Sequence, residues 1–123
     1  MLFRSYQGLT LSVEQADWVR KRLPIVRNTV KQTDYRDAAG HYDAIASIEM
    51  VEAVGQEYWP DYVAAIHRLL KPGGRAVIQY ISIDDAIFDR YAASADFIQT
   101  YIFPGGMLIS ESRFRALVEK AGL

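Results

Sequence analysis

The sequence has 123 residues, half of them hydrophobic, and a formal net charge of -1. This length fits a single domain over residues 1–123. The near-neutral charge lacks the basic excess of nucleic-acid-binding domains. There are no cysteines, which excludes disulfides, thiolate nucleophiles and cysteine zinc sites. The two histidines lie far apart and form no metal-ligand spacing. We therefore predict neither a metal site nor a nucleic-acid partner.

No apolar run reaches the ~18 residues that a membrane-spanning helix needs. Residues 1–7 are too polar for a secretory signal. These features predict a chain that does not span a membrane and lies in the cytoplasm.

The first helix is predicted over residues 12–23. Ser12 and Gln15 fit a capping box, in which each side chain accepts a hydrogen bond from a free backbone N–H of the other. Pro24 disfavours helical conformation in the residue before it and so predicts the end of the helix. Residues 25–33 then resemble a strand.

The middle of the chain alternates in the same way. Residues 34–37 indicate a polar loop, and the short apolar run at 44–48 is typical of a buried strand. The strongest helix is predicted over 58–70, where apolar residues recur at helical spacing. Lys-Pro-Gly-Gly at 71–74 is predicted to end it, with glycine in a left-handed turn.

The last part of the chain is predicted to form a strand over residues 76–83, an aspartate-capped helix over 84–93 and a final helix over 110–121. The order of elements indicates an α/β domain with parallel strands. No convincing strand precedes the first helix, and no glycine-rich cofactor turn is present. We therefore expect a partial domain.

Ligands of parallel sheets bind beyond the carboxyl ends of the strands, so polar residues there are candidate contacts. Thr10 and Gln15 flank the start of the first helix and are either ligand contacts or parts of a helix cap. Asp34 could accept a hydrogen bond from an adenine amino group, and Tyr35 could stack on the ring. Composition alone favours a simple surface turn for this second pair.

Two acidic residues, Glu49 and Glu52, directly follow the strand at 44–48. A carboxylate in that position can steady a cationic centre or act as a base. A solvated acidic pair at a helix start would also be stabilised by the helix dipole, so composition leaves both interpretations open.

Five segments occur in a characteristic order: GLTLSVEQ, QTDYRD, YDAIASIEMVEAVG, LLKPGGRAVIQYISI and FIQTYIFPGGML. Together they resemble the cyclopropane-fatty-acyl-phospholipid synthases, a family of S-adenosylmethionine-dependent class I methyltransferases. The resemblance implies a partial Rossmann-like class I methyltransferase fold with a parallel sheet flanked by helices. The family's first strand and glycine-rich loop are missing, so the chain is expected to be truncated at both ends.

The resemblance also implies an activity and its site. S-adenosylmethionine would be the methyl donor, and the double bond of an unsaturated phospholipid acyl chain at the membrane surface would be the acceptor. Four positions resemble the family's cofactor contacts: Thr10, Gln15, Asp34 and Tyr35. Three positions correspond to its catalytic pocket: Ile48 and Glu52 resemble the part that holds a bicarbonate ion as proton acceptor, and Gln79 stands where the classical enzymes have a pocket histidine.

The alternative is a non-catalytic remnant that folds as an oligomer and binds no cofactor. Because a partial sheet leaves unpaired strand edges, we expect a homo-oligomer that buries more than ~1,000 Å². Without a glycine-rich turn, the chain alone is expected to be inactive.

The first prediction concerns the cofactor. Thr10, Gln15, Asp34 and Tyr35 can contact only the adenosine part of S-adenosylmethionine, since the close backbone approach that glycine permits is missing. Each 1.4 kcal/mol lost lowers affinity about tenfold. Isothermal titration calorimetry of the 123-residue chain is expected to give a millimolar or weaker dissociation constant. A low micromolar value that Asp34→Ala abolishes would contradict this expectation.

Overall fold

Parallel strand pairs are the framework of the computed structural model. The chain divides into two compact units, Met1–Ala39 and Gly40–Leu123. Both units combine parallel strands with helices, which confirms the predicted α/β class. The residues that the structure describes are 5–23, 28–94, 100–101 and 104–123.

The first unit is a strand–helix–strand motif. Strand β1 (Tyr6–Thr10) and strand β2 (Asn28–Gln32) pair in parallel along all five residues of each. Helix α1 (Val13–Arg22) connects them, and a 3-10 turn (Tyr35–Asp37) follows β2. The predicted residues 25–27 lie outside the described part of the chain.

Strand β1 was not predicted. Gly8 and the polar Gln7 and Thr10 weaken the strand signal, because glycine and polar residues have no apolar side chain to pack against a sheet. Pairing with β2 satisfies the backbone here and overrides that weak local preference.

Only one of the two hydrogen bonds of the predicted capping box forms. The Ser12 hydroxyl accepts from the Gln15 backbone N–H at 3.1 Å, as expected for an N-cap. The backbone N–H of Ser12, however, donates to the Thr10 hydroxyl at 3.1 Å. The Gln15 side chain accepts from that same hydroxyl at 2.7 Å, so it does not return to Ser12. The reciprocal bond was therefore predicted wrongly, because Thr10 competes for both groups.

Helices and strands also follow one another in the second unit, as far as the structure describes it. In chain order its helices and strands are β3 (Tyr42–Ile48), α2 (Val51–Val54), α3 (Trp59–Leu69), β4 (Leu70–Gln79), β5 (Ser82–Ile83), α4 (Asp85–Ala92), β6 (Ile109–Ser110) and α5 (Glu111–Ala121). β3 pairs in parallel with β4, and β5 pairs in parallel with β6. The predicted pairing of the strands at 44–48 and 76–83 is thus confirmed for β3 and β4. β2, which lies within the strand predicted over residues 25–33, pairs instead with β1 in the first unit.

Helix α3 supplies most of the core of the second unit. Its apolar stripe is buried as the helical spacing predicted: Trp59, Tyr62, Val63, Ile66 and Leu69. Two polar atoms of the stripe find partners. The Tyr62 hydroxyl donates to Ser47 Oγ at 2.6 Å, and Trp59 Nε1 donates to the Val51 carbonyl at 3.3 Å. These bonds fix α3 against β3 and α2.

The predicted strand at 76–83 is corrected in two ways. It is divided between β4 and β5, and β4 begins at Leu70. Between the first two paired positions of the sheet, β4 advances by five residues, from Leu70 to Arg75, while β3 advances by only two. Residues 71–74 therefore form a bulge inside the strand, where Gly73 has a φ of +76°. Helix α3 ends one residue before the predicted position 70, since Leu70 already has an extended backbone.

The second prediction tests the core. Ile66 is 5% exposed, and truncating a buried large side chain removes its burial energy and leaves a cavity. Ile66→Ala is expected to lower the free energy of unfolding by about 2–5 kcal/mol in urea denaturation. His67→Ala, at the next and solvent-exposed position of the same helix, should change it far less. Equal losses for both variants would contradict the assignment of the buried face.

Candidate functional site

The carboxyl ends of β3 and β4 bring two predicted catalytic residues side by side. Ile48 and Gln79 are direct partners in the parallel register. The backbone N–H of Glu49 donates to the Gln79 carbonyl at 2.9 Å and continues this ladder by one bond. The side chain of Ile48 is 64% exposed, and that of Gln79 is also exposed. Both are therefore open to a ligand at this end of the strands.

The third predicted catalytic residue, Glu52, belongs to the same end of the second unit. It lies on α2, in the turn that follows β3, and is only 1% exposed. Its Oε1 accepts a short hydrogen bond from the backbone N–H of Ile81, two residues after Gln79. The main-chain carbonyl of Glu52 accepts from the Met107 N–H at 2.9 Å. Glu52 thus joins α2, the segment after β4 and the segment before β6.

The second carboxylate oxygen of Glu52, Oε2, is buried and has no hydrogen-bond partner among the residues that the structure describes. A buried polar atom without a partner costs free energy, and a buried carboxylate costs more than a neutral group. Buried polar atoms without a partner are uncommon in native proteins, and a catalytic role is one explanation for them.

Glu49, in the same turn, has an unusual backbone conformation. Its φ of +52° makes it the one non-glycine residue with a positive φ among those the structure describes. This conformation costs roughly 1 kcal/mol for a residue with a Cβ. Strained backbone of this kind clusters at functional sites. The sequence indicated only the acidic pair, since nothing in its pattern predicts a left-handed glutamate.

The four predicted cofactor residues lie at the carboxyl end of the β1–β2 pair in the first unit. The Thr33 N–H donates to the Thr10 carbonyl at 3.1 Å, which brings the chain before Asp34 next to the end of β1. Thr10 and Gln15 are hydrogen-bonded to each other. Gln15 Nε2 has no acceptor among the described residues and remains able to donate.

Asp34 caps the 3-10 turn after β2. Its carboxylate accepts from Arg36 three times, from the backbone N–H and Nε at 2.9 Å and from Nη2 at 2.8 Å. These hydrogen bonds and the positive charge of Arg36 lower the pKa of Asp34. Tyr35 follows and is half-buried. A carboxylate acceptor and an aromatic residue are thus consecutive in the sequence after β2.

Within the described ranges, no group of three or more histidine, cysteine or acidic side chains is placed to hold a metal ion. None of the helices in that same part of the chain is long and apolar enough to cross a membrane.

The chain matches the family model of the mycolic acid cyclopropane synthetases over residues 4–123. It is 42% identical over 108 residues to a tuberculostearic acid methyltransferase of Mycobacterium tuberculosis, covering 85% of this chain and 25% of that protein. It is 34% identical over 108 residues to the cyclopropane-fatty-acyl-phospholipid synthase of Escherichia coli, covering 86% of this chain and 27% of that protein. The chain thus spans about a quarter of the length of these relatives.

Solved structures agree with these matches. A cyclopropane synthase from Mycobacterium tuberculosis superposes with a TM-score of 0.80 at 25% identity, over 96% of this chain and 46% of the other. A mycolic acid cyclopropane synthase complexed with SAH and CTAB superposes with a TM-score of 0.78 at 27% identity, over the same fractions. The fold is therefore a portion of the methyltransferase fold, as predicted.

The third prediction concerns the charge of Asp34. Because its folded pKa is lowered, the ion pair with Arg36 contributes stability above about pH 4 and loses it as the pH falls through that lowered pKa. An NMR titration of the Asp34 carboxyl group should give a pKa below its ordinary value. Arg36→Gln should raise this pKa toward the ordinary value, and Arg20→Gln should not. An ordinary pKa in the unmodified chain would contradict the observed pairing.

Proposed function

We propose, from the premise that this chain belongs to the mycolic acid cyclopropane synthetase family, that it takes part in methyl transfer to the double bond of an unsaturated phospholipid acyl chain. The family comprises S-adenosylmethionine-dependent methyl and cyclopropane transferases that act on lipid acyl chains. The acceptor would be reached at the cytoplasmic surface of a membrane. The buried, half-satisfied carboxylate of Glu52 is the observation that carries the proposal.

The adenosine part of S-adenosylmethionine fits the donors and acceptors at the end of the β1–β2 pair. Asp34 retains acceptor capacity for an adenine amino group, because a carboxylate offers about four lone-pair sites and Arg36 uses three. Gln15 Nε2 can donate to a hydroxyl of the ribose. Tyr35 offers a ring face for stacking. When bound, the cofactor supplies an electrophilic methyl group.

The role proposed for Glu52 follows from its charge and burial. Adding a methyl group to an alkene leaves a positive charge on the acyl chain. A fixed carboxylate in a water-poor site lowers the energy of that charge more than it would in water. Because the Ile81 N–H holds one oxygen of Glu52, the carboxylate need not reorganise as the charge develops. Loss of a proton from the added methyl group then closes the cyclopropane.

Bicarbonate, the proton acceptor implied by the resemblance, also fits the donor set. The ion carries one O–H group, and Oε2 of Glu52 is a buried acceptor without a partner in the described part of the chain. The exposed amide of Gln79 can donate to the other oxygens of the ion. Bound there, bicarbonate would supply a base. The neighbouring Ile48 contributes an apolar surface that suits an acyl chain.

The fourth prediction tests the dependence on Glu52. Methyl-labelled S-adenosylmethionine at millimolar concentration and vesicles of unsaturated phospholipid are incubated with the chain, and label in the lipid is counted. We expect that any transfer falls by about 10²–10⁴-fold in Glu52→Gln, as for loss of a group that stabilises or accepts charge in the transition state. Glu57→Gln, at an exposed position of the next turn, is the matched control.

Two results would count against the proposal. Transfer that survives Glu52→Gln unchanged would remove this carboxylate from the reaction. A complete lack of label with the unmodified chain, which is the result expected if the glycine-rich turn is indispensable, would favour the non-catalytic alternative. Circular dichroism of each variant separates lost chemistry from lost fold.

A further inference from the structure

Arg36 binds the carboxylate of Asp34 through three separate donors. Its backbone N–H and its Nε both donate to Oδ1 at 2.9 Å, and its Nη2 donates to Oδ2 at 2.8 Å. Each oxygen of a carboxylate offers about two lone pairs. Oδ1 therefore has no lone pair left. Oδ2 keeps one lone pair that no group uses among the residues that the structure describes.

The turn that carries these groups is held by its own backbone hydrogen bonds. Asp34 has an extended backbone, with φ −71° and ψ 144°, and precedes the 3-10 turn. The Asp37 N–H donates to the Asp34 carbonyl at 3.1 Å, and the Ala38 N–H donates to the Tyr35 carbonyl at 3.2 Å. These local bonds set the position of the Asp34 carboxylate after β2.

The guanidinium of Arg36 is more than the turn itself requires. Capping needs only the hydrogen bond from the Arg36 backbone N–H to the Asp34 side chain. The Arg36 side chain is 57% exposed, and an exposed ion pair adds little stability because water screens it and the side chains lose freedom. The guanidinium instead changes geometry. Its planar fork fixes the plane of the carboxylate, which the ammonium group of a lysine does not.

We propose that Arg36 is a positioning residue, which makes this end of the β1–β2 pair selective for 6-aminopurine nucleosides over 6-oxopurine nucleosides. Because Arg36 fixes the carboxylate of Asp34, the last lone pair of Oδ2 is the acceptor for an amino group on the purine ring. The inference rests on the proposed function in one respect, namely that the adenosine part of the cofactor binds at this end.

The two kinds of purine differ at the group that Oδ2 of Asp34 would meet. Adenine has an amino group there and donates, whereas hypoxanthine has a carbonyl oxygen and only accepts. Two opposed acceptors repel, and the loss of a hydrogen bond to a charged group discriminates strongly between ligands. Hypoxanthine also carries an N–H at the next ring position. A carboxylate that is free to rotate could turn to accept from this N–H, but one held by the fork of Arg36 could not.

Adenosine and inosine test this selectivity on the full chain. Their dissociation constants are obtained from the chemical-shift changes of the backbone amides of residues 33–38 in proton–nitrogen correlation spectra, which can follow millimolar binding. The unmodified chain should bind adenosine at least about tenfold more tightly than inosine, since a tenfold ratio needs only 1.4 kcal/mol.

Arg36→Lys separates positioning from charge. Lysine keeps the positive charge but lacks the fork, so the preference for adenosine should fall to less than about threefold. Arg20→Lys is the matched control and should keep the full preference, because Arg20 also forms an exposed ion pair with an aspartate in the same unit. A purely structural role of Arg36 would weaken both nucleosides by the same factor and leave their ratio unchanged.

Asp34→Asn provides a second variant that does not depend on Arg36. Asparagine can still cap the turn, but it replaces one carboxylate oxygen with an amide that donates. The preference for adenosine should therefore be lost in this variant as well. The amide spectrum of each variant also shows whether its turn is folded.

The outcomes decide the inference independently of methyl transfer, which is tested through Glu52 in the second unit. Binding of both nucleosides with equal affinity to the unmodified chain would overturn the inference and leave the adenosine site in place. A preference that survives in Arg36→Lys or Asp34→Asn would also overturn it. If adenosine near its solubility limit shifts none of these amides, both the inference and the adenosine site are wrong.

Discussion

The buried carboxylate of Glu52 is the interaction on which the site of the second unit depends. Its side chain accepts a hydrogen bond from the Ile81 N–H, and its main-chain carbonyl accepts one from the Met107 N–H. One residue thus connects three segments that are distant in sequence. Burying a carboxylate with one oxygen unpartnered opposes folding. The packing of α3, through residues such as Trp59 and Tyr62, must therefore offset this cost.

Parallel pairing explains where the candidate residues collect. In a parallel pair both strands end on the same side, so residues that are far apart in sequence meet at one edge. Ile48 and Gln79 meet in this way in the second unit, and Thr10 and Thr33 in the first. Glu49, with its positive φ, then turns the chain from β3 into α2. From α2, Glu52 accepts a hydrogen bond from the Ile81 N–H of the segment after β4.

Much of this structure could be predicted from the sequence because local signals and tertiary packing agree. Ser12 and Asp84 cap their helices as expected, and the stripe of α3 is buried. The predictions fail where non-local contacts decide. β1 depends on pairing with β2, and the bulge that holds Gly73 depends on the register with β3.

The candidate site, too, could be predicted from the sequence only where local signals decide. The acidic residues after β3 could be found from their position, yet burial of Glu52 and exposure of Glu49 could not, since both follow from how α2 packs. The roles in cofactor binding, and the single domain predicted from length, remain predictions.

Amide hydrogen exchange tests the linking role of Glu52 most directly. In the unmodified chain, the N–H groups of Ile81 and Met107 should both be protected. Glu52→Met keeps the side-chain volume and removes the acceptor, so Ile81 should lose protection while Met107, bonded to the main-chain carbonyl, keeps it. Free exchange of Ile81 in the unmodified chain, or equal loss at both amides in the variant, would contradict the account.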